Sequence, residues 1–119
     1  MFLCDIHSHS KISHDSKAEL FDTAQAAIDA GLREFCVTDH CDLLGLEGEP
    51  VTGFDWPAAR AQFRAVNAEL GHRLTLRLGL ELGSAVSDPD EARAVLAQGG
   101  EELDFVLGSI HNWIGMEGN

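Results

Sequence analysis

Short apolar runs alternate along the chain with longer stretches in which apolar residues recur every three or four positions. The first run, residues 2–6, passes at once into polar residues and predicts a buried strand that ends at His7 and His9. Leu20, Ala24, Ala27 and Ile28 then recur at helical spacing. Ser16 and Glu19 stand before them in capping-box spacing, and Gly31 can end the helix in a left-handed conformation. Residues 34–38 predict a second strand, delivering Thr38, Asp39 and His40 at its carboxyl end. A second helix begins around residues 55–57; Trp56, Ala59, Phe63, Val66 and Leu70 form its stripe and Gly71 its stop. Between residues 74 and 82 leucine takes every second position, while Thr75, Arg77, Gly79 and Glu81 fall on the opposite face. Asp88 as N-cap, Pro89 at the first position and Glu91 closing the cap predict a third helix that turns Ala92, Val95 and Leu96 to the sheet. Residues 104–110 form the fourth strand, which ends in His111.

Four strands alternating with three helices predict an α/β fold, and short apolar strands joined through helices run parallel. The polar and glycine residues 112–119 are expected to be the loop after the fourth strand. Four parallel strands neither close a barrel nor protect their last edge, so the expectation is the N-terminal portion of a larger domain.

Composition narrows the partners. The chain of 119 residues is 45% apolar and 24% charged, the balance of a globular domain. Twenty acidic residues against eight basic ones give a formal charge of -12, which argues against a nucleic-acid backbone or an anionic membrane as partner. Bound divalent cations would offset part of that charge. Without a membrane-length apolar run or a basic, cleavable leader pattern, a cytoplasmic protein is expected. Cys4, Cys36 and Cys41 lack CxxC spacing and are odd in number, which suits a reducing compartment. Cys4 and Cys36 are expected as small core residues of strands, and Cys41, in the loop after His40, has the same plain reading. His72, just past a helix stop, has a sufficient reason as a cation at a helix C-terminus.

The chemistry lies at the strand ends. In an extended backbone Asp5, His7 and His9 project to one side, a ready edge for a metal ion. His40 ends the second strand, Glu81 the third and His111 the fourth, so all four strands contribute at the end where parallel α/β folds collect binding residues. Imidazole with carboxylate suits Zn, Mn or Fe, whereas Mg or Ca prefers nearly all oxygen. Each residue also has a plainer reading. A single strand histidine such as His111 is often hydrogen-bonded structure, and Asp39 and Asp5 fit equally as groups orienting imidazoles or as loop caps. Glu81 is harder to explain away, because a carboxylate closing a leucine-rich strand is costly to desolvate unless a cation or donor meets it.

Asp5-Ile6-His7-Ser8-His9, Thr38-Asp39-His40, Gly79-Leu80-Glu81-Leu82-Gly83 and Gly108-Ser109-Ile110-His111 resemble the first motifs of the PHP (polymerase and histidinol phosphatase) superfamily. Ser13-His14-Asp15-Ser16 adds a likeness to the histidinol-phosphatase branch, although Ile12 stands where that branch often carries an aromatic residue. The resemblance covers nearly the whole chain. It implies the N-terminal part of a distorted (β/α)7 TIM-like barrel with up to three divalent metal ions at the carboxyl ends of its strands. It further implies that His7 and His9 hold the first metal, that Glu81 bridges the first and second, that His111 holds the second, and that Asp15 joins His40 on the third. His14 is the rival to Asp15. Glu81 and His40 are the catalytic candidates of the set. The family's later ligands, a further histidine and an Asp-x-His motif, have no counterpart in residues 1–119, and its phosphate-gripping residues are expected in that later part as well. The activity implied is metal-assisted hydrolysis of a small phosphorylated substrate, L-histidinol phosphate, in histidine biosynthesis. The alternatives are another small phosphate ester or nucleotide, or a metal-binding remnant without catalysis.

Overall fold

The structure is a computed structural model that describes residues 1–111; the loop expected over residues 112–119 lies outside the described residues. The strands are β1 (Cys4–Asp5), β2 (Glu34–Asp42), β3 (Thr75–Gly83) and β4 (Leu103–Ser109), and the helices are α1 (Leu20–Asp29), α2 (Trp56–Leu70) and α3 (Pro89–Gly99). The four strands form one sheet in the order β1-β2-β3-β4, and every neighbouring pair is parallel. This is the alternating α/β arrangement the periodicity predicts.

Register decides which side chains meet. Phe35, Val37 and Cys41 of β2 stand beside Leu76, Leu78 and Leu82 of β3, on the face that packs against Leu20 and Ala24 of α1, Val66 and Leu70 of α2, and Val95 of α3. Leu80 is fully buried there, and each such leucine contributes about 1.5–3 kcal/mol by leaving water. The other face of β2 and β3 carries Cys36, Thr38, His40 and Asp42 beside Arg77, Gly79, Glu81 and Gly83. Small residues let β2 and β3 present long side chains here. A Cβ on Gly79 would stand 2.8 Å from Cys36 Sγ and 2.9 Å from both Thr38 Cγ2 and the Phe105 carbonyl; one on Gly83 would coincide with the Asp42 carboxylate.

Several expectations are corrected. β1 is two residues long rather than five, and Cys4 is exposed. The backbone leaves the ladder after Asp5, so His7 and His9 do not continue an extended strand; Asp5 caps the turn by accepting the His7 amide (3.1 Å). The capping box does not form. Helix α1 starts at Leu20 with Glu19 as N-cap; Ser16 accepts the Ala18 amide (3.2 Å), and Glu19 pairs with Lys11 instead (2.9 Å). β2 runs on to Asp42, which places Cys41 within the strand and in the apolar core rather than in a loop. Burial pushes the Cys36 thiol up to about 12 and the Cys41 thiol up to about 11, so both are inert core thiols near neutral pH.

The remaining caps follow the sequence more closely. Asp55 accepts the Ala58 amide at the start of α2, and Asp88 accepts the Glu91 amide at the start of α3. The Glu91 carboxylate does not close a reciprocal box; it takes the Gly53 amide (2.9 Å) and ties the loop before α2 to α3. Gly31 ends α1 with φ 86°, as predicted, whereas Gly71 has φ -62° and stays right-handed.

Candidate metal centre

Beyond β1 the chain remains bound to β2 through Thr38, which is fully buried. The Thr38 amide donates to the Ser8 carbonyl (2.7 Å), the Ser8 amide donates to Thr38 Oγ1 (3.2 Å), and the Ser8 hydroxyl donates to the Cys36 carbonyl (3.0 Å). Thr38 Oγ1 also lies 3.3 Å from the Ser8 carbonyl and 2.7 Å from His7 Nδ1. The hydroxyl thus holds the Nδ1 edge of His7 and turns its Nε2 toward Glu81. This is how residues off the ladder still reach the rim of the sheet.

Glu81 is the centre of that rim. It is 5% exposed and stands beside His40 in the β2–β3 register. Its Oε1 lies 3.1 Å from His7 Nε2 and 3.5 Å from His9 Nε2, and its Oε2 lies 2.6 Å from His40 Nδ1 and 3.3 Å from His111 Nε2. Asp15 Oδ2 is 2.9 Å from His40 Nε2 and 3.3 Å from His9 Nδ1. The rings are close as well, with the His9 and His40 centroids 4.2 Å apart and those of His40 and His111 4.9 Å apart.

Among the described residues, three overlapping groups bring one ligand atom per residue within 4.8 Å of one another: His7, His9 and Glu81; His9, Asp15 and His40; and His40, Glu81 and His111. All six sequence candidates fall into these groups. His14 does not, although its ring packs 5.1 Å from that of His40. Nor does His72, which is exposed beside the start of β3. The grouping differs from the predicted one in two respects: His9 stands with Asp15 and His40, and His40 stands with Glu81 and His111.

The donor set fits a divalent cation. His9 Nε2, His40 Nδ1 and Glu81 Oε2 are buried and make no hydrogen bond among the described residues, although His40 Nδ1 and Glu81 Oε2 approach to 2.6 Å. That approach lacks hydrogen-bond alignment. Buried polar atoms are rarely left so, and converging imidazole and carboxylate ligand atoms are what Zn, Mn or Fe would satisfy.

Asp42 is a site residue that the sequence reading did not pick out. Its Oδ1 accepts from His111 Nδ1 (2.8 Å), and its Oδ2 lies 3.6 Å from His40 Nδ1. It follows His40 by two positions in the same strand, so alternation continued past His40 identifies it. The hydrogen bond to Asp42 raises the His111 pKa above 6.5; desolvation opposes this, and the charges of Asp42, Glu81 and Asp15 add to it. For Asp15, desolvation pushes upward but is outweighed by the hydrogen bond to His40 and the charges of His40 and His9, which hold the carboxyl below its ordinary 3.8.

The sign for His111 follows from linkage. An imidazole raised in the folded state stabilises the metal-free protein below the unfolded value, and that contribution is lost as pH rises through the folded value. The His111 ring is expected to titrate above 6.5 in NMR spectra of the metal-free protein, and Asp42→Asn should move the midpoint down. An unchanged midpoint in Asp42→Asn would contradict this origin of the shift.

Beside these groups a cavity of about 770 Å³ opens between the rim and the loop that precedes α2. Asp15, His40, Asp42 and His111 line it together with the apolar Ile12, Leu44, Val51 and Phe54.

Residues 5–118 match the PHP domain family. The chain belongs to that family. Among curated PHP relatives, a probable histidinol-phosphatase from Deinococcus radiodurans is 34% identical over 111 residues, which are 92% of this chain and 42% of that protein. A histidinol-phosphatase from Lactococcus lactis is 28% identical over 111 residues, covering 90% of this chain and 38% of the relative. The crystal structure of a histidinol phosphate phosphatase from Lactococcus lactis, complexed with zinc, L-histidinol and phosphate, superposes with a TM-score of 0.81 at 26% identity. That match covers 92% of this chain and 40% of the other. The chain thus spans about two fifths of the length of these relatives. The four-stranded sheet is the corresponding portion of the PHP fold, a TIM-like barrel.

Proposed function

We propose that the protein is a metal-dependent phosphomonoester hydrolase that acts on L-histidinol phosphate and serves histidine biosynthesis. The observation that carries this reading is the convergence of six ligand side chains on one rim of the sheet, with three of their buried atoms lacking any hydrogen-bond partner among the described residues. The histidinol-phosphatase relatives and the zinc, L-histidinol and phosphate of the similar crystal structure supply the substrate and favour zinc over Mn or Fe.

His7, His9 and Glu81 would hold one ion, His40, Glu81 and His111 a second, and His9, Asp15 and His40 a third. Divalent cations held there would neutralise the phosphoryl oxygens and provide a nucleophile at neutral pH. Thr38 orients His7 with Nε2 toward Glu81, Asp42 orients His111, and Glu81 serves two groups at once. The cavity beside the rim has the size of small-molecule sites and combines Asp15 and His40 with apolar lining that would suit the alcohol portion of a small phosphate ester. Among the described residues no helix is long and apolar enough to cross a membrane, and the three free thiols support a cytoplasmic setting.

The test is phosphate release by the full chain loaded with zinc, comparing L-histidinol phosphate with generic phosphomonoesters. Faster turnover of L-histidinol phosphate is expected, with loss of release on chelation. Equal rates on every ester would replace the substrate assignment with a broader phosphatase, and zinc-independent or absent release would sink the reading.

A further inference from the structure

Asp39 follows Thr38 and precedes His40, yet its side chain is on the opposite face of the sheet, in register with Leu80 and between Val37 and Cys41 in the apolar layer under the helices. It is 3% exposed. A carboxylate there is strongly disfavoured unless donors surround it. Three do: the Ser10 amide at 2.5 Å, the Ser10 hydroxyl at 2.7 Å and the Ser13 hydroxyl at 2.8 Å. Both serines are buried.

The proton directions in this cluster are determined. A carboxylate only accepts, so each serine hydroxyl gives it its single proton and has only lone pairs left. Ser13 Oγ then accepts the His40 amide (2.8 Å), and Ser10 Oγ accepts Gln62 Nε2 from α2 (2.8 Å) together with the Ile12 amide (3.3 Å). One carboxylate therefore terminates every bond in a network that joins the loop after His9, the backbone of His40 and helix α2. Two residues beyond Ser13 the same loop presents Asp15 to His40 and His9. The group formed by His40, Glu81 and His111 draws on β2, β3 and the end of β4 and includes no residue of that loop.

We infer that Asp39 is a positioning residue: from behind the sheet it clamps residues 10–13 and so sets His9 and Asp15 against His40, readying one of the three ligand groups before any ion arrives. This rests on the metal reading of the site. It goes beyond the ligand set by assigning the selective placement of one group to a buried carboxylate that touches none of the imidazoles in that network. Asp39→Asn keeps the shape but removes the charge on which the Ser10 and Ser13 donors converge and sets an NH2 against a hydroxyl that must turn its proton away, so the contacts to residues 10–13 weaken.

Two measurements on the full chain test the clamp. In the metal-free protein, hydrogen exchange in Asp39→Asn should quicken at the Ser10, Ile12 and His40 amides and stay unchanged in α3 and β3; uniform quickening, or none, would overturn the clamp whatever the metal data show. Zinc titration against a chromogenic chelator should show the site that includes Asp15 weakened at least about tenfold, and more than the other sites, which share only His9 or His40 with it. Asp39→Asn should have a clearly smaller effect on zinc in an Asp15→Ala background, because much of the clamp acts through Asp15. Equal weakening of all sites, or a full effect persisting in Asp15→Ala, would assign Asp39 a general structural role instead. Ser13→Ala, a smaller change, should give the same pattern at lower amplitude if Asp39→Asn folds poorly. A parent protein that binds no zinc would overturn the metal reading and this assignment with it, an outcome distinct from failure of the exchange test.

Discussion

Glu81→Gln is expected to remove two zinc equivalents together and to reduce phosphate release from L-histidinol phosphate by on the order of a hundredfold or more. The reason is geometric. One Glu81 oxygen faces His7 and His9, and the other faces His40 and His111, so a single carboxylate belongs to two of the three ligand groups. Glutamine preserves the volume between Gly79 and Gly83 but halves the acceptor capacity and removes the charge that would balance the cations. Its NH2 would also enter a space where imidazole lone pairs already converge. Zinc content by mass spectrometry and steady-state kinetics check this. Loss of one equivalent with the other retained would contradict the shared role of Glu81.

Trp56→Ala should destabilise the fold by about 3–5 kcal/mol, read as a fall in urea midpoint at constant m. Trp56 is 1% exposed at the first position of α2. Its indole N–H donates to the Val95 carbonyl inside α3 (2.9 Å), and its ring meets Phe54 edge-on at 4.8 Å. A Cβ on Gly99 would come within 3.0 Å of the ring, so the end of α3 is shaped to this side chain. Truncation opens a cavity and leaves a buried carbonyl without this donor. Trp56→Phe should cost less, about 1 kcal/mol for the missing hydrogen bond plus a share of the packing loss. An Ala variant within 1 kcal/mol of the parent would show that α2 and α3 do not depend on this contact.

The periodic elements were legible in the sequence because their signals are local. The leucine alternation of β3, the stripe of α2 and the Asp88-Pro89 start of α3 each follow from neighbours a few positions away, and the structure has all three. What was missed depends on tertiary placement. The backbone leaves the β1 ladder after Asp5, where it turns to meet Thr38, and no local pattern reveals this. The Ser16 and Glu19 spacing suggested a cap, but Glu19 finds Lys11 across the loop. At the site, residue types and strand order pointed to five of the candidates and the family resemblance added Asp15, whereas their grouping follows from the register that sets His40 beside Glu81. Asp42 escaped notice because the second strand was expected to end at Thr38, four residues before its observed end. The Asp39 network could not be read at all, since it joins Ser10, Ser13 and Gln62 across up to 52 positions.

The central claim is that these six side chains hold metal ions as three overlapping groups. Anomalous diffraction at the zinc edge from crystals of the zinc-loaded protein tests it most directly. Peaks are predicted within the groups His7–His9–Glu81, His9–Asp15–His40 and His40–Glu81–His111, with the two that share Glu81 vanishing in Glu81→Gln. Zinc peaks elsewhere on the protein, with no density between these side chains, would contradict the account.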